Sequence, residues 1–154
     1  MLASAAFGQQ TLTFTRVQNP QDLQEITTAI RSIAGISNAR LNAEKKTLMI
    51  DGDANQIDLA GWLFSGLNIP ASSTRYTIER SYTIPGDDRE SAVRLYFLAN
   101  TEPGKPLQDL AAKVRTATKI PRLFLLDGQR ALVLRCSPDQ MEQADQMIRE
   151  LDRR

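Results

Sequence analysis

Leu23, Ile26, Ile30 and Ile33 recur at spacings of three, four and three residues, the period at which side chains return to one face of an α-helix. Asn19 can cap that helix, Pro20 fits its first turn, Asp22 sits near the positive end of the dipole, and Gly35 closes the stripe. Ahead of it, Leu12, Phe14 and Arg16 alternate with Thr11, Thr13 and Thr15 and predict a strand. After it, Ala39 to Ile50 predicts two short strands about Glu44-Lys45-Lys46, with Leu48 and Ile50 on one face. Asp53, followed three positions on by Gln56, has the form of a capping box. It opens a second helix with Ile57, Ala60, Phe64 and Leu67 on its inner face.

The same pattern returns. At an offset of 84 residues, Leu23 falls on Leu107, Gln24 on Gln108, Arg31 on Arg115, Leu41 on Leu125, Leu48 on Leu132, Gln56 on Gln140, Ala60 on Ala144 and Leu67 on Leu151. No gap is needed across that stretch, and apolar character recurs more faithfully than identity, as expected of a repeated fold. The second copy opens with Val93, Leu95 and Phe97 and is expected to carry three additional residues, Thr101-Glu102-Pro103, before its first helix. Leu107, Leu110, Val114 and Ala117 line that helix. Asp127-Gly128 predicts a hairpin turn, and Ser137-Pro138 with Gln140 caps a last helix lined by Met141, Ala144, Ile148 and Leu151.

Between the copies, Tyr76, Ile78, Arg80, Tyr82 and Ile84 alternate with polar residues, so an additional strand lies in the linker before the turn Pro85-Gly86-Asp87-Asp88. The expected organisation is therefore an α+β protein of two β-α-β-β-α modules, residues 11–69 and 93–154, joined by a linker at 70–92. Residues 1–10 read as either a secretory-signal remnant with Ala3-Ser4-Ala5 at its cleavage site or a disordered terminus.

Composition narrows the chemistry. The formal net charge is +1 and no histidine is present, which gives no electrostatic drive toward nucleic acid. A serine or cysteine nucleophile would lack its usual base. The lone Cys136 ends a strand and reads as core. Asp51, Asp53 and Asn55 match the first three ligand positions of a calcium loop, but Gln56 and Trp62 stand where a glycine and a bidentate acid are required. The KH-type alternative lacks its G-x-x-G loop, since Gly35 is followed by Ile36, Ser37 and Asn38. No apolar run reaches the 18 residues of a membrane span. No cofactor, metal or catalytic residue is expected.

The segments Val93 to Asn100, Leu107-Gln108-Asp109-Leu110, Ala131 to Arg135 and Asp139-Gln140-Met141 through Ala144 to Asp152 resemble the short periplasmic N-terminal domains of bacterial secretins, as does Gln56 to Phe64 in the first copy. The resemblance implies, for each copy, a three-stranded sheet backed by two helices, a ring-building role beside similar modules, and a periplasmic or secreted location in a bacterium. Secretins carry a membrane-inserted β-domain after these modules, and here the sequence stops at Arg154, so no pore is implied.

The copies differ on one helical face. Leu59 and Trp62 correspond to Gln143 and Gln146, so Leu59, Trp62 and Leu63 form the candidate interaction surface, facing either the linker strand or another chain. The functional expectation is a non-catalytic extracytoplasmic protein-interaction or assembly module, partnered by another protein or by itself. The alternative is a small-ligand-binding protein using the cleft between the modules.

Overall fold

The computed structural model describes residues 8–69, 78–87 and 89–153. The alanine-rich start with Ala3-Ser4-Ala5, the loop from Pro70 to Ser73, Tyr76, Asp88 and Arg154 lie outside them. The chain divides into two compact units, Met1–Pro70 and Ala71–Arg154.

The first unit runs β1 (Gly8–Thr13), α1 (Pro20–Ala34), β2 (Asn38–Asn42), β3 (Thr47–Gly52) and α2 (Ala54–Leu67), with an antiparallel sheet in the order β1-β3-β2. The second runs β4 (Ile78–Thr83), β5 (Ala92–Phe97), α3 (Lys105–Thr118), β6 (Arg122–Leu126), β7 (Ala131–Cys136) and α4 (Pro138–Leu151), with sheet order β4-β5-β7-β6. The protein is thus α+β, and the linker strand β4 is the outer strand of the second sheet, antiparallel to β5.

Adding 84 to the residue numbers of β1, β2, β3 and α2 gives β5, β6, β7 and α4 with the same bounds. Pairing register follows: Gly8 lies opposite Gly52 as Ala92 lies opposite Cys136, and Asn38 opposite Asp51 as Arg122 opposite Arg135. The three-residue insertion expected at Thr101-Glu102-Pro103 is absent, because β1 and β5 stand at the same offset as everything after them.

The first strand begins earlier than the apolar alternation indicates. Gly8, Gln9 and Gln10 belong to β1, whereas Phe14 lies beyond it, buried, with its N–H donating to Lys46 O at 2.8 Å. The six residues of β3 set the length of the strand beside it, and an exposed outer strand needs no apolar face to pair.

In each unit the helices cover one face of the sheet. Leu23, Ile26, Ile30, Ile33, Leu48, Ile50, Ala60, Phe64 and Leu67 are buried in the first, where the Phe14 and Phe64 rings meet at 4.8 Å in a tilted arrangement. Tyr96, Leu107, Leu110, Val114, Leu132, Leu134, Met141, Ala144 and Ile148 form the corresponding cluster in the second. Three stripe residues are corrected. Ile57 and Leu151 are only half-buried, and Ala117 is exposed while its neighbour Thr118 turns inward, its hydroxyl donating to Val114 O at 2.6 Å. A hydroxyl returned to its own helix is satisfied without water and so tolerates burial.

The other faces of the two sheets differ. Val93, Leu95, Phe97, Leu126, Ala131 and Val133 are all buried, whereas their counterparts Gln9, Thr11, Thr13, Asn42, Thr47 and Met49 are polar or surface-exposed. The period-two reading of β5 selected Val93, Leu95 and Phe97 as its single apolar side, while the side toward the helices carries Tyr96.

Backbone shape recurs where residue type does not. Gly35 after α1 and Lys119 after α3 both take left-handed φ, 71° and 57°, and Lys46 and Arg130 in the β2–β3 and β6–β7 connections do so at 54° and 52°. The Asp127-Gly128 pair accordingly does not form a two-residue hairpin turn. Asp127–Gln129 makes a short 3-10 turn, and Arg130 supplies the positive φ. A left-handed Cβ costs about 1 kcal/mol, and glycine gives back part of that in unfolded-chain entropy. Lys119→Gly is therefore expected to stabilise the protein by about 0.5 kcal/mol, read as a rise in urea midpoint; an unchanged or lower midpoint would show that the lysine is unstrained there.

Candidate functional site

Polar residues shared by the two units hold the framework. Arg31 Nη2 donates to Ala39 O at 2.8 Å, tying α1 to β2, and Arg115 Nη2 donates to Leu123 O at 2.9 Å, tying α3 to β6. Gln56 and Gln140 each complete a capping box, with Asp53 and Ser137. Each glutamine also donates from Nε2 to a carbonyl at the end of the preceding helix, Gly35 O at 2.9 Å and Thr118 O at 3.2 Å. These side chains satisfy helix ends that would otherwise leave backbone groups unpaired.

A clamp follows α2 and α4 at equivalent positions. Asn68 Oδ1 accepts from Thr15 N and Arg16 N, both at 3.0 Å, and its Nδ2 donates to Thr15 Oγ1 at 3.0 Å. Asp152 takes the same place in the second unit, accepting from Ala99 N at 2.8 Å, Asn100 N at 3.0 Å and Thr101 Oγ1 at 2.8 Å, and it is 1% exposed. Each clamp anchors the segment leaving β1 or its counterpart β5 to the end of the unit's last helix.

The second unit has an ion cluster at the seam between β4, β5 and α4. Pairing places Glu79 opposite Tyr96 and Ser81 opposite Arg94. Arg94 Nη1 lies 3.2 Å from Asp145 and 3.6 Å from Glu79, and Arg94 Nε donates to Ser81 Oγ at 3.0 Å. The Tyr96 hydroxyl donates to Asp145 Oδ1 at 2.6 Å, and Arg149 reaches Glu79 at 2.6 Å and Asp145 at 3.0 Å. Two cations thus meet two carboxylates around one phenol.

Burial is the main influence on the Tyr96 phenol, pushing its pKa well above the ordinary value, with the Asp145 hydrogen bond acting the same way. Burial opposes ionisation of Asp145 too, but hydrogen bonds from Tyr96 and Arg149 and the charge of Arg149 outweigh it and hold the carboxyl below its usual range. Arg94 is likewise held charged: burial disfavours the cation, and the bond to Tyr96 with the charges of Glu79 and Asp145 overcomes that.

A cleft of about 320 Å³ opens beside the cluster, lined by Thr83, Ser91, Arg94, Pro138, Met141 and Asp145. Arg94 and Asp145 in this lining are paired with each other, which ties β5 to α4, and Glu142 also borders the cleft. The Cys136 thiol is pushed up to about 11, chiefly by burial and then by the nearby charge of Glu90, and packs in the core as expected.

The acidic candidates have structural work. Asp53 Oδ1 accepts from Gln56 N at 2.9 Å, and Asp51 accepts from Asn38 Nδ2 across β3 and β2. Asp87 Oδ1 accepts from Arg89 N and Glu90 N, both at 2.8 Å, and Oδ2 accepts from Arg135 at 2.9 Å. The backbone bonds from Glu90 and Arg89 do most to lower its pKa; burial opposes them, and the Arg135 hydrogen bond and charge add smaller lowering effects.

The three residues of the expected interaction surface separate. Leu59 is 2% exposed and Leu63 is fully buried, while Trp62 is half-buried. The reason lies in helix azimuth: Gln143, the counterpart of Leu59, donates to Ala117 O of α3 at 3.4 Å, so this side of the helix looks toward its neighbour helix. Trp62 stands two residues from Ala60, about 200° round the helix from that buried position, and keeps some surface.

The ion cluster escaped sequence analysis because its members lie on three elements. Its signal was present in the comparison of copies: Arg94, Asp145 and Arg149 stand where the first unit has Gln10, Gly61 and Ser65, none of them charged.

The chain matches no described protein family and no curated protein. Among solved structures it is similar to the N-terminal domain of the secretin XcpQ from Pseudomonas aeruginosa, at 12% identity and a TM-score of 0.39, covering 96% of this chain and 62% of that one. A dimeric mutant of the same domain gives 12% identity and a TM-score of 0.39, covering 96% of this chain and 63% of that one. ExeD of Aeromonas hydrophila gives 10% identity and a TM-score of 0.34, covering 95% and 28% respectively. The chain thus spans less than two thirds of the length of each. Among the described residues, no helix is long and apolar enough to cross a membrane.

Proposed function

We propose that this protein is a non-catalytic assembly or protein-interaction module acting outside the cytoplasm, in which the two units are copies of one scaffold. The observation that carries the reading is the fate of the shared polar residues. Arg31 and Arg115, and Gln56 and Gln140, are each engaged with backbone of their own unit, so what recurs is a frame and not a reacting constellation. The residue-level likeness to secretin N-terminal segments supports assembly and an extracytoplasmic setting.

Trp62 is the proposed contact residue, since it alone of its apolar group retains surface and its counterpart is Gln146. The partner is a second copy of the chain. Trp62→Gln is expected to weaken self-association at least tenfold, about 1.4 kcal/mol, because tryptophan is the side chain most often dominant in a contact of this kind. Light scattering across a concentration series reads the change, with the thermal midpoint recorded alongside. A chain that stays monomeric at high concentration before substitution rules the contact out. Leu59→Gln is unsuitable as a companion, because Leu59 is buried and its replacement changes core packing as well as surface.

A further inference from the structure

We infer that the open edge of β1 is a strand-addition site, accepting an extended segment of a partner protein whose side chains facing α2 are apolar and uncharged. The inference rests on the interaction reading above and gives it a second, separate surface.

Among the described residues β1 is an outer strand, paired only with β3, and five of its six residues are exposed. The alternate N–H and C=O groups of such an edge face solvent and template another strand. Natural edges are usually protected by charge or proline, and Gly8–Thr13, with the sequence GQQTLT, has neither.

The second unit shows what the position accepts. There the equivalent edge of β5 is filled by β4, antiparallel, from Ile78 opposite Phe97 to Thr83 opposite Ala92. Its residues on the helix side, Glu79 and Ser81, engage Arg94 and, through Glu79, Arg149.

Around β1 the positions that hold the three charged cluster residues of β5 and α4 are neutral and small. Gln10, Gly61 and Ser65 replace Arg94, Asp145 and Arg149, and a Cβ built on Gly61 or on Gly8 meets nothing within 4 Å. Leu12 and Ile57 are only half-buried, whereas their counterparts Tyr96 and Met141 are 0% and 2% exposed. The first unit therefore has apolar side chains partly uncovered beside an unfilled strand position, with open space and none of the charges that Arg94, Asp145 and Arg149 supply in the second. A segment with valine-like residues at its inward positions completes both the ladder and the cover, and a charged one like β4 itself does not.

The test uses the full chain and a synthetic peptide carrying the β4 sequence with Glu79→Val and Ser81→Val. Saturating peptide is expected to slow amide hydrogen exchange at the outward-facing positions of β1 at least tenfold. Gly61→Gln in the chain is expected to weaken that binding at least tenfold without lowering the thermal midpoint, since it fills the open space and replaces a helical glycine. Failure of the peptide to slow β1 exchange, or slowing that Gly61→Gln does not diminish, overturns the inference. Slowing in the concentrated chain without peptide also overturns it, by assigning the edge to a second copy. Association that depends on Trp62 while β1 still exchanges freely defeats the strand-addition site alone, and β1 binding without Trp62-dependent association defeats only the earlier reading.

Discussion

Asp152→Ala is expected to destabilise the protein by about 3 kcal/mol, because three hydrogen bonds to a buried carboxylate are lost and the donors left behind are unpaired. Those donors are Ala99 N, Asn100 N and Thr101 Oγ1, all within 3.0 Å of the carboxylate. For a unit of this size the loss corresponds to a fall of about 12 °C or more in thermal midpoint. The first unit supplies a graded control. Asn68 makes the equivalent clamp by taking both backbone donors on one oxygen and giving its amide N–H to the Thr15 hydroxyl. Ala99 occupies the position of Thr15 and has no hydroxyl to receive that proton. Asp152→Asn should therefore recover about half of the loss, and Asp152→Asn with Ala99→Thr most of it. If the single alanine variant melts within 2 °C of the parent, roughly the uncertainty of a surface change, the clamp is not an anchor.

Asp145→Ala has the next largest expected effect, about 2 kcal/mol, with the consequence concentrated in β4. Removing the carboxylate orphans the Tyr96 hydroxyl, which belongs to a fully buried residue, and takes one partner from both Arg94 and Arg149. An unpaired buried donor accounts for most of the cost, since the ion pairs are partly exposed and screened. Amide exchange of β4 should accelerate more than that of β6, its counterpart at the other edge of the sheet. Equal acceleration at the two edges would mean that the cluster does not hold β4.

The same carboxylate gives the pH dependence its sign. Asp145 and Asp87 both have folded-state pKa values below the ordinary 3.8, so each contributes stability that is complete above that value. The contribution disappears as pH falls through the lower, folded values. Urea midpoints should be level from about pH 7 to about pH 5 and drop below about pH 4. Asp145→Asn should flatten the drop, whereas an unaltered profile would place the acid sensitivity elsewhere.

Much of the fold was legible because it is written locally and twice. The stripe of Leu23, Ile26, Ile30 and Ile33, the caps at Asn19, Asp53 and Ser137, and the shared Arg31 and Arg115 each concern neighbours within a turn or an adjacent strand. Such interactions depend on spacing along the chain, which sequence preserves. Errors arose where apolar character was used to place something that backbone pairing determines. β1 extends over Gly8, Gln9 and Gln10 because β3 is six residues long, and the connection expected to turn at Asp127-Gly128 takes its positive φ at Arg130.

The candidate surfaces were less accessible, for a related reason. Leu59 and Leu63 looked like surplus apolar area on a helix drawn alone, and only the azimuth of α2 about its own axis makes them buried while Trp62 keeps surface. The clamp of Asp152 joins residues more than 50 positions apart, and the cluster of Glu79, Arg94, Tyr96, Asp145 and Arg149 draws on three elements. By itself the sequence determined the element types, their order, their capping and their recurrence at an offset of 84 residues, since these follow from periodicity and short-range hydrogen bonding. Tertiary structure alone decided which apolar residues remain uncovered, which charges meet and which strand edge is left open, because those depend on distances across the sheet that no spacing along the chain encodes.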